Sequence, residues 1–296
     1  MHSNMKKILL ITIAAFSTAA FLSNTYKNSA PKMLTPACYE SCFSGDVREQ
    51  FRNEANTASF AALHENPKAF ILENQTGNTI QFQSPDGKEA TAYFIKSKKK
   101  TKNWVFVIQE WWGLNDHIKH EAEVLSQELG NVNVLALDLY DGKVAATADS
   151  AMKLMRGATT ERLESIVKGA IAHIGPDAKI FTIGWCFGGM WSLQTSLLAG
   201  KQAAGCVMYY GRPETNLEKL KNLNCEVIGF FGNKDQSPAP AVVTKFEADM
   251  AAVGKKITTN KYDAGHGFAN PSNPSFNKEA TEDAHTKTIE FLKKKL

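Results

Sequence analysis

Residues 179–198 read KIFTIGWCFGGMWSLQTSLL, an apolar strand-like run joined to a helical one through a glycine-rich turn. The turn at residues 184–189 has the pattern G-x-nucleophile-x-G, with Cys186 in the nucleophile position. Such a turn is tight, and it lifts the nucleophile above the sheet at the N-terminus of a helix. Because the helix dipole and unpaired N–H groups favour an anion there, we expect a thiolate with a lowered pKa. The pattern predicts a nucleophilic cysteine; the alternative is a buried structural cysteine.

Strand-like and helical patterns alternate on both sides of this turn. Apolar runs predict strands at residues 79–83, 90–95, 104–108, 132–137, 179–184, 204–210, 226–231 and 256–262. Amphipathic patterns predict helices at residues 116–129, 148–155, 160–174, 187–198, 216–223, 239–252 and 276–295. The alternation and the turn predict an α/β-hydrolase fold, a mostly parallel doubly wound sheet with helices on both faces. The first two strands are expected to form an antiparallel hairpin around residues 84–87.

A cysteine nucleophile needs a base, and on this fold the acid and the histidine follow it at the ends of later strands. After the nucleophile the sequence holds only His266 and His285, and His64 belongs to the N-terminal extension. His266 lies in a glycine-flanked loop after the last predicted strand, whereas His285 lies inside the last predicted helix, so we predict His266 as the base. Asp235 follows the preceding strand and is predicted as the orienting acid. Its rival is Asp263, three residues before His266.

The loop after the strand at residues 104–108 reads QEWWGLN and is expected to complete the site. An α/β-hydrolase takes one oxyanion N–H from this loop and the other from the residue after the nucleophile. The predicted donors are therefore the backbone N–H groups of Trp111 and Phe187. Glu110 is a candidate catalytic residue, because a carboxylate beside a thiol is costly unless it is paired, but it could equally be a surface or salt-bridging residue.

Five motifs resemble those of the dienelactone hydrolase (carboxymethylenebutenolidase) family. They occur in the family's order within residues 77–296 and are QEWWGLN at 109–115, DLY at 138–140, GWCFGG at 184–189, YYG at 209–211 and GHGF at 265–268. Together they are specific, although each alone is not.

The resemblance implies a triad of Cys186, His266 and Asp235 that opens an enol-lactone ring through a thioester acyl-enzyme. It further implies that Glu110 meets the Cys186 thiol and helps to deprotonate it when substrate enters, and that Tyr210 borders the substrate pocket. No metal or organic cofactor is implied, and the partner is a small-molecule ester or lactone. A broader carboxylesterase or thioesterase on the same triad, or a non-catalytic binding protein with this fold, are the alternatives.

Two positions depart from the pattern of the enzyme after which the family is named. That enzyme has a serine after the catalytic histidine and an arginine three positions later, where this sequence has Gly267 and Asn270. The arginine helps to hold a substrate carboxylate, so we expect a preference for uncharged or weakly polar esters and lactones. Arg156 and Arg212 are the other arginines considered near the pocket.

Composition excludes several classes of protein. Of the 296 residues, 43% are hydrophobic and 22% charged, which fits a globular domain with a sizeable core and excludes disorder. The net charge of +4 gives no reason to expect nucleic acid. His117 and His120 lie one helical turn apart and could in principle bind a metal, but no carboxylate motif accompanies them. We expect a monomer.

Residues 1–30 have the features of a secretory signal. Lys6 and Lys7 precede an apolar run at residues 8–22, which is shorter than the roughly 20 residues that a spanning helix needs. We expect export to the periplasm or the exterior, with no stable membrane span after signal removal. A membrane tether formed by an uncleaved N-terminal segment is the alternative.

The remaining chain divides into an N-terminal extension at residues 31–76 and the hydrolase-like domain at residues 77–296. The extension contains a helical pattern at residues 46–63, whose role the sequence does not reveal. Cys38 and Cys42 could form a disulfide in an exported chain, whereas a zinc site would need two more ligands.

Overall fold

The computed structural model describes residues 45–296, which contain eight strands and nine α-helices. The strands are β1 (Asn78–Gln83), β2 (Glu89–Ile95), β3 (Asn103–Ile108), β4 (Asn133–Leu137), β5 (Lys179–Trp185), β6 (Ala203–Tyr209), β7 (Val227–Gly232) and β8 (Ile257–Tyr262). The helices are α1 (Val47–Ala55), α2 (Ala58–Ala62), α3 (Asp116–Leu129), α4 (Ala148–Gly157), α5 (Thr160–Ile174), α6 (Phe187–Ala199), α7 (Leu217–Lys221), α8 (Pro240–Ala252) and α9 (Lys278–Lys293).

All eight strands belong to one sheet with the order β1-β2-β4-β3-β5-β6-β7-β8. The last six strands in this order, from β4 and β3 to β8, are parallel to one another, and β1 and β2 form the predicted antiparallel hairpin. The predicted mostly parallel, doubly wound sheet is therefore confirmed. One pairing was not predicted, since β2 also lies antiparallel to β4.

The central strands are apolar throughout because helices cover both of their faces. β4 is buried along its whole length, as are the last four residues of β3, from Val105 to Ile108. Helix α6 packs on β5 and β6, and α3 packs with α9. Since β3, β5, β7 and β8 run in one direction, the loops that follow them meet at one edge of the sheet.

The N-terminal extension contains two helices instead of the continuous helical stretch expected at residues 46–63. Asp46 begins α1 by accepting from the N–H of Arg48, and the Thr57 side chain begins α2 by accepting from the N–H of Phe60. Because a threonine in this capping conformation has non-helical backbone angles, the chain turns between the two helices. The turn lets both helices lie against the domain.

Aromatic contacts attach these two helices to the loops at the edge of the sheet. The ring of Phe51 on α1 lies 5.9 Å from that of Phe187, the first residue of α6. The ring of Phe60 on α2 lies 5.1 Å from that of Trp111. The extension therefore covers the point where β5 turns into α6.

Within residues 45–296, no helix combines the length and the apolar character that crossing a bilayer requires. The predicted signal at residues 1–30 and the pair Cys38 and Cys42 lie outside the described residues. Export and the disulfide remain predictions.

Candidate active site

Cys186 occupies the sharp turn between β5 and α6. Its φ of +55° lies in a region that residues other than glycine rarely adopt. Its backbone N–H donates to the carbonyl oxygen of Tyr209 at 3.0 Å. The flanking glycines are needed because backbone segments cross closely there. A Cβ on Gly184 would lie 2.1 Å from the Gly188 oxygen, and one on Gly188 would lie 2.3 Å from the Ile108 oxygen. This is the geometry of a strained nucleophile turn.

His266 and Asp235 form a buried pair at the same edge of the sheet. The Nδ1 of His266 lies 2.9 Å from the Oδ2 of Asp235, and each residue is only 3% exposed. The second carboxylate oxygen of Asp235 accepts from the N–H of Ser237 at 2.7 Å. The rival Asp263 instead forms an exposed ion pair with Lys234 at 2.9 Å. The structure thus brings His266 to Asp235, away from Asp263.

His64 is a member of this cluster that sequence reasoning missed. Its Nε2 lies 3.6 Å from the Cys186 Sγ, and its Nδ1 lies 2.8 Å from the carbonyl oxygen of Phe60. The ring packs between Trp111 and His266, with centroid separations of 4.7 Å and 5.0 Å. In the sequence His64 lies in the N-terminal extension, far from the predicted triad. No motif surrounds it, and its only signal is a position one helical turn after Phe60.

Burial sets the protonation of the cysteine. Desolvation raises the pKa of the Cys186 thiol, although His266 and the backbone N–H of Phe187 act to lower it. The expected lowering of this pKa is therefore wrong, because Cys186 is only 1% exposed and desolvation outweighs the helix N-terminus.

The two histidines shift in opposite directions. Burial acts to lower the pKa of His266, but the negative charge of Asp235 and its hydrogen bond outweigh burial, so the pKa lies well above its ordinary value. Burial lowers the pKa of His64 to about 3, and the charge of His266 adds to that lowering. His64 is therefore neutral at physiological pH.

Glu110 lies at the boundary between this cluster and a neighbouring cavity. Its Oε2 accepts from the Asn270 Nδ2 at 2.8 Å. Burial raises the pKa of the carboxyl to about 7, although His266 and Asn270 act to lower it. The resemblance pairs Glu110 with the Cys186 thiol when substrate enters. In this structure the carboxylate accepts from Asn270, its charge acts to raise the pKa of the thiol, and the Nε2 of His64 lies 3.6 Å from the sulfur.

Of the predicted oxyanion donors, Phe187 acts through its backbone N–H to lower the pKa of the Cys186 thiol. Trp111 lies fully buried in the loop after β3, with its ring against His64. Both residues therefore border the nucleophile.

A cavity of about 530 Å³ adjoins the buried cluster. Its lining comes from the loops at the sheet edge, from α3 and α9, and from the extension, and comprises Pro67, Phe70, Glu110, Trp112, Asn115, His117, Ile118, His120, Glu121, Val124, Trp185, Tyr209, Tyr210, Ala269, Asn270, Pro271, Ser272, Thr281, Glu282, His285 and Thr286. Tyr210 and Asn270 thus line the cavity, whereas Gly267 does not. Among the described residues, no lysine or arginine contributes to the lining.

Arg156 and Arg212 bind residues of the N-terminal extension. Arg212 pairs with Glu54 of α1, and the Nε of Arg156 donates to the Oδ1 of Asn56 at 2.8 Å. Both side chains attach the extension to the domain, so the expectation that either lies near the pocket is corrected.

Comparisons with known proteins bear on the family and the fold. Residues 90–296 match the sequence profile described as the dienelactone hydrolase family. The chain is 30% identical over 208 residues to a carboxymethylenebutenolidase of Pseudomonas sp., covering 64% of this chain and 84% of that protein. It is 25% identical over 231 residues to carboxymethylenebutenolidase 1 of Cupriavidus pinatubonensis, covering 72% and 95%.

The fold is also found among solved structures. A dienelactone hydrolase-like promiscuous phosphotriesterase from metagenomic libraries superposes with a TM-score of 0.64 at 19% identity, over 74% of this chain and 99% of that one. At this identity the likeness concerns the fold alone.

Proposed function

Because this chain belongs to the dienelactone hydrolase family and is a hydrolase of ester bonds, we propose that it cleaves lactones or esters through Cys186, His266 and Asp235. The hydrogen bond between His266 and Asp235, beside a cysteine at the strand-to-helix turn, carries this proposal. Each residue follows a different parallel strand, and the three meet only in the folded chain.

Acylation uses the unusual protonation states of the site. With a pKa of about 7, Glu110 can accept the thiol proton near neutral pH as substrate enters from the cavity. The Cys186 sulfur then attacks the carbonyl carbon, and the backbone N–H groups of Phe187 and Trp111 hold the oxyanion. The intermediate collapses to a thioester as the ester C–O bond breaks and charged His266 protonates the leaving oxygen.

Deacylation returns the enzyme to its starting state. The now neutral His266 takes a proton from water, whose oxygen attacks the thioester carbonyl, while Asp235 stabilises the imidazolium that forms. The C–S bond breaks, the acid leaves, and Cys186 recovers its proton from Glu110. The balance is one ester and one water giving one acid and one hydroxyl group, which for a lactone remain in one molecule.

Matched variants test the residue roles. We expect Cys186→Ala to abolish hydrolysis of a p-nitrophenyl ester, with Cys206→Ala as the control for a buried cysteine in the core. Asp235→Asn should fold normally and lose roughly 10²- to 10⁴-fold in kcat because the imidazole loses its orienting charge. Asp263→Asn, at the exposed rival position, should keep wild-type kcat.

Peptide mapping of a rapidly quenched reaction should find the acyl group on Cys186. Full activity of Cys186→Ala, or a kcat loss in Asp263→Asn without one in Asp235→Asn, would overturn the assignment. If the wild type binds but hydrolyses no member of a lactone and ester panel, the chain is a binding protein.

A further inference from the structure

Three potential metal ligands from distant parts of the chain meet beside the proposed nucleophile. The ring nitrogens of His64 and His266 and the sulfur of Cys186 all lie within 4.8 Å of one another, and all three residues are buried. His64 belongs to the extension, outside the region that matches the family profile. The cluster is therefore not explained by the proposed triad alone.

Hydrogen bonds fix which nitrogen of each ring faces the sulfur. The Phe60 carbonyl oxygen can only accept, so the Nδ1 of His64 carries the proton and Nε2 keeps its lone pair toward Cys186. Asp235 holds the Nδ1 of His266 in the same way. Metal-binding histidines typically donate their other N–H to a carboxylate or a backbone carbonyl, and here one of each is present.

One polar atom in the cluster lacks a hydrogen-bond partner. Within the described part of the chain, the Nε2 of His266 is buried and forms no hydrogen bond of ordinary geometry; the polar group with which it interacts there is the Cys186 sulfur. Buried polar atoms are otherwise almost always paired. A cation between the rings would satisfy this nitrogen, and the thiol together with the lone pair of His64 would complete its protein ligands.

The spacing suits a tetrahedral ion. Zinc–nitrogen and zinc–sulfur bonds of about 2.0 and 2.3 Å place neighbouring ligand atoms roughly 3.5 Å apart. The Nε2 of His64 lies 3.6 Å from the Cys186 Sγ, and the ligand nitrogen of His266 lies within 4.8 Å of both atoms.

We propose that His64, Cys186 and His266 form a binding site for Zn²⁺, with a water molecule as the fourth ligand. Binding forms one Zn–S and two Zn–N bonds. The thiol proton, and the Nε2 proton of His266 where that ring is charged, leave to the buffer.

Such a site would inhibit hydrolysis by using the sulfur and the base that the reaction needs. This consequence rests on the proposed function, whereas the metal site itself does not. Release of the ion restores the enzyme, so inhibition is reversible by a chelator.

The test uses Co²⁺ as a spectroscopic probe in the full chain freed of metal by a chelator. A thiolate ligand produces a charge-transfer absorption band, which reports the Cys186–metal bond without any turnover. We expect the band in the wild type and in His173→Gln, which removes an exposed histidine that lies outside both the cluster and the cavity lining. We expect His64→Gln to weaken Co²⁺ binding at least roughly 100-fold, since even loss of a group that only orients a ligand costs 10- to 100-fold.

Circular dichroism checks that each variant is folded, and Cys186→Ser supplies an independent variant that should lose the thiolate band. Competition with Zn²⁺ should remove the band from the wild type, and Zn²⁺ should inhibit the wild type and His173→Gln over the same concentration range. Absence of the band from the wild type, or an unchanged band in His64→Gln, overturns the metal site. Retained hydrolysis by Cys186→Ala would overturn the proposed function. The metal site would still be tested independently by the charge-transfer band.

Discussion

Glu110 links the buried cluster to the cavity, and its protonation affects stability. In the folded state burial raises its pKa from 4.5 to about 7, and His266 and Asn270 only partly oppose this. A raised carboxyl pKa contributes stability that is fully present below pH 4.5 and is lost as the pH rises through 7. Ionised Glu110 is therefore destabilising at alkaline pH.

Glu110→Gln keeps an oxygen that can accept from Asn270 and removes the ionisation. We expect its melting temperature to match that of the wild type below pH 4.5 and to exceed it increasingly as the pH rises toward 8. Thermal denaturation followed by circular dichroism at a series of pH values measures the difference. A difference that does not change with pH would show that the carboxyl does not titrate in this range.

The sequence predicted the positions of some site residues and missed others. Cys186, Asp235 and His266 could be located because each follows a strand, and parallel strands bring their carboxyl ends to one edge. His64 could not be located in this way, since its position depends on how two short helices dock on a distant surface. The lowered thiol pKa was wrong for the same reason, because the covering residues that desolvate Cys186 are not adjacent to it in sequence.

Among the elements, the alternating pattern predicted every strand and every helix of residues 77–296 to within two residues. Continuous apolar runs and amphipathic periods are local signals, because they can be read from neighbouring residues without knowing how the elements pack. The antiparallel pairing of β2 with β4 has no such signal, because it depends on which strand lies beside the hairpin. Likewise, the break between α1 and α2 comes from the cap at Thr57, which the helical period alone does not mark.

The extension acts as a cover for the nucleophile. Phe51 packs on Phe187 and on Phe60, whose ring centroid lies 5.5 Å away. Because Cys186 is only 1% exposed, we expect slow alkylation of the native wild type by iodoacetamide. Rapid modification then requires the cover to open.

Phe51→Ala should loosen the extension and raise the alkylation rate of Cys186 by about tenfold or more through local opening. Cys206, which is fully buried in the sheet, serves as an internal reference for global unfolding. Phe276→Ala, at an exposed site, is the matched control. Mass spectrometry of the modified peptides follows both cysteines, and equal acceleration at Cys206 would mean that the whole domain unfolds.

For the whole molecule, the distribution of charge around the cavity sets the class of substrate. Glu110, Glu121 and Glu282 contribute to the lining, and the described residues add no lysine or arginine. A substrate carboxylate would lack the permanently charged lysine or arginine that usually holds it, and only the histidines of this lining could offer a cationic donor. The side chain at the family's arginine position, Asn270, donates to Glu110 instead.

We expect the wild type to prefer the methyl ester of dienelactone to dienelactone itself by about tenfold in kcat/KM for lactone opening, since one charged hydrogen bond is worth about 1.5–3 kcal/mol. The pair differs in charge and in one added methyl group, so steady-state rates of lactone opening compare a charged with an uncharged substrate of similar size. Asn270→Arg should narrow the gap mainly through KM, because the contact exists before the transition state. If the wild type instead prefers the acid, a group outside this lining binds the carboxylate and the expected preference is wrong.

The docked extension also determines the order in which the protein can assemble. Residues 45–64 leave the ribosome before any of their docking partners exist. The Arg48 guanidinium must wait for Glu164, 116 residues later, and His64 for Cys186, 122 residues later. Since contacts of such long sequence separation cost loop-closure entropy before they form, we expect the extension to close over the nucleophile late in folding. A folding chain therefore passes through an interval in which the Cys186 sulfur is open to solvent, and the speed of docking decides how long that interval lasts.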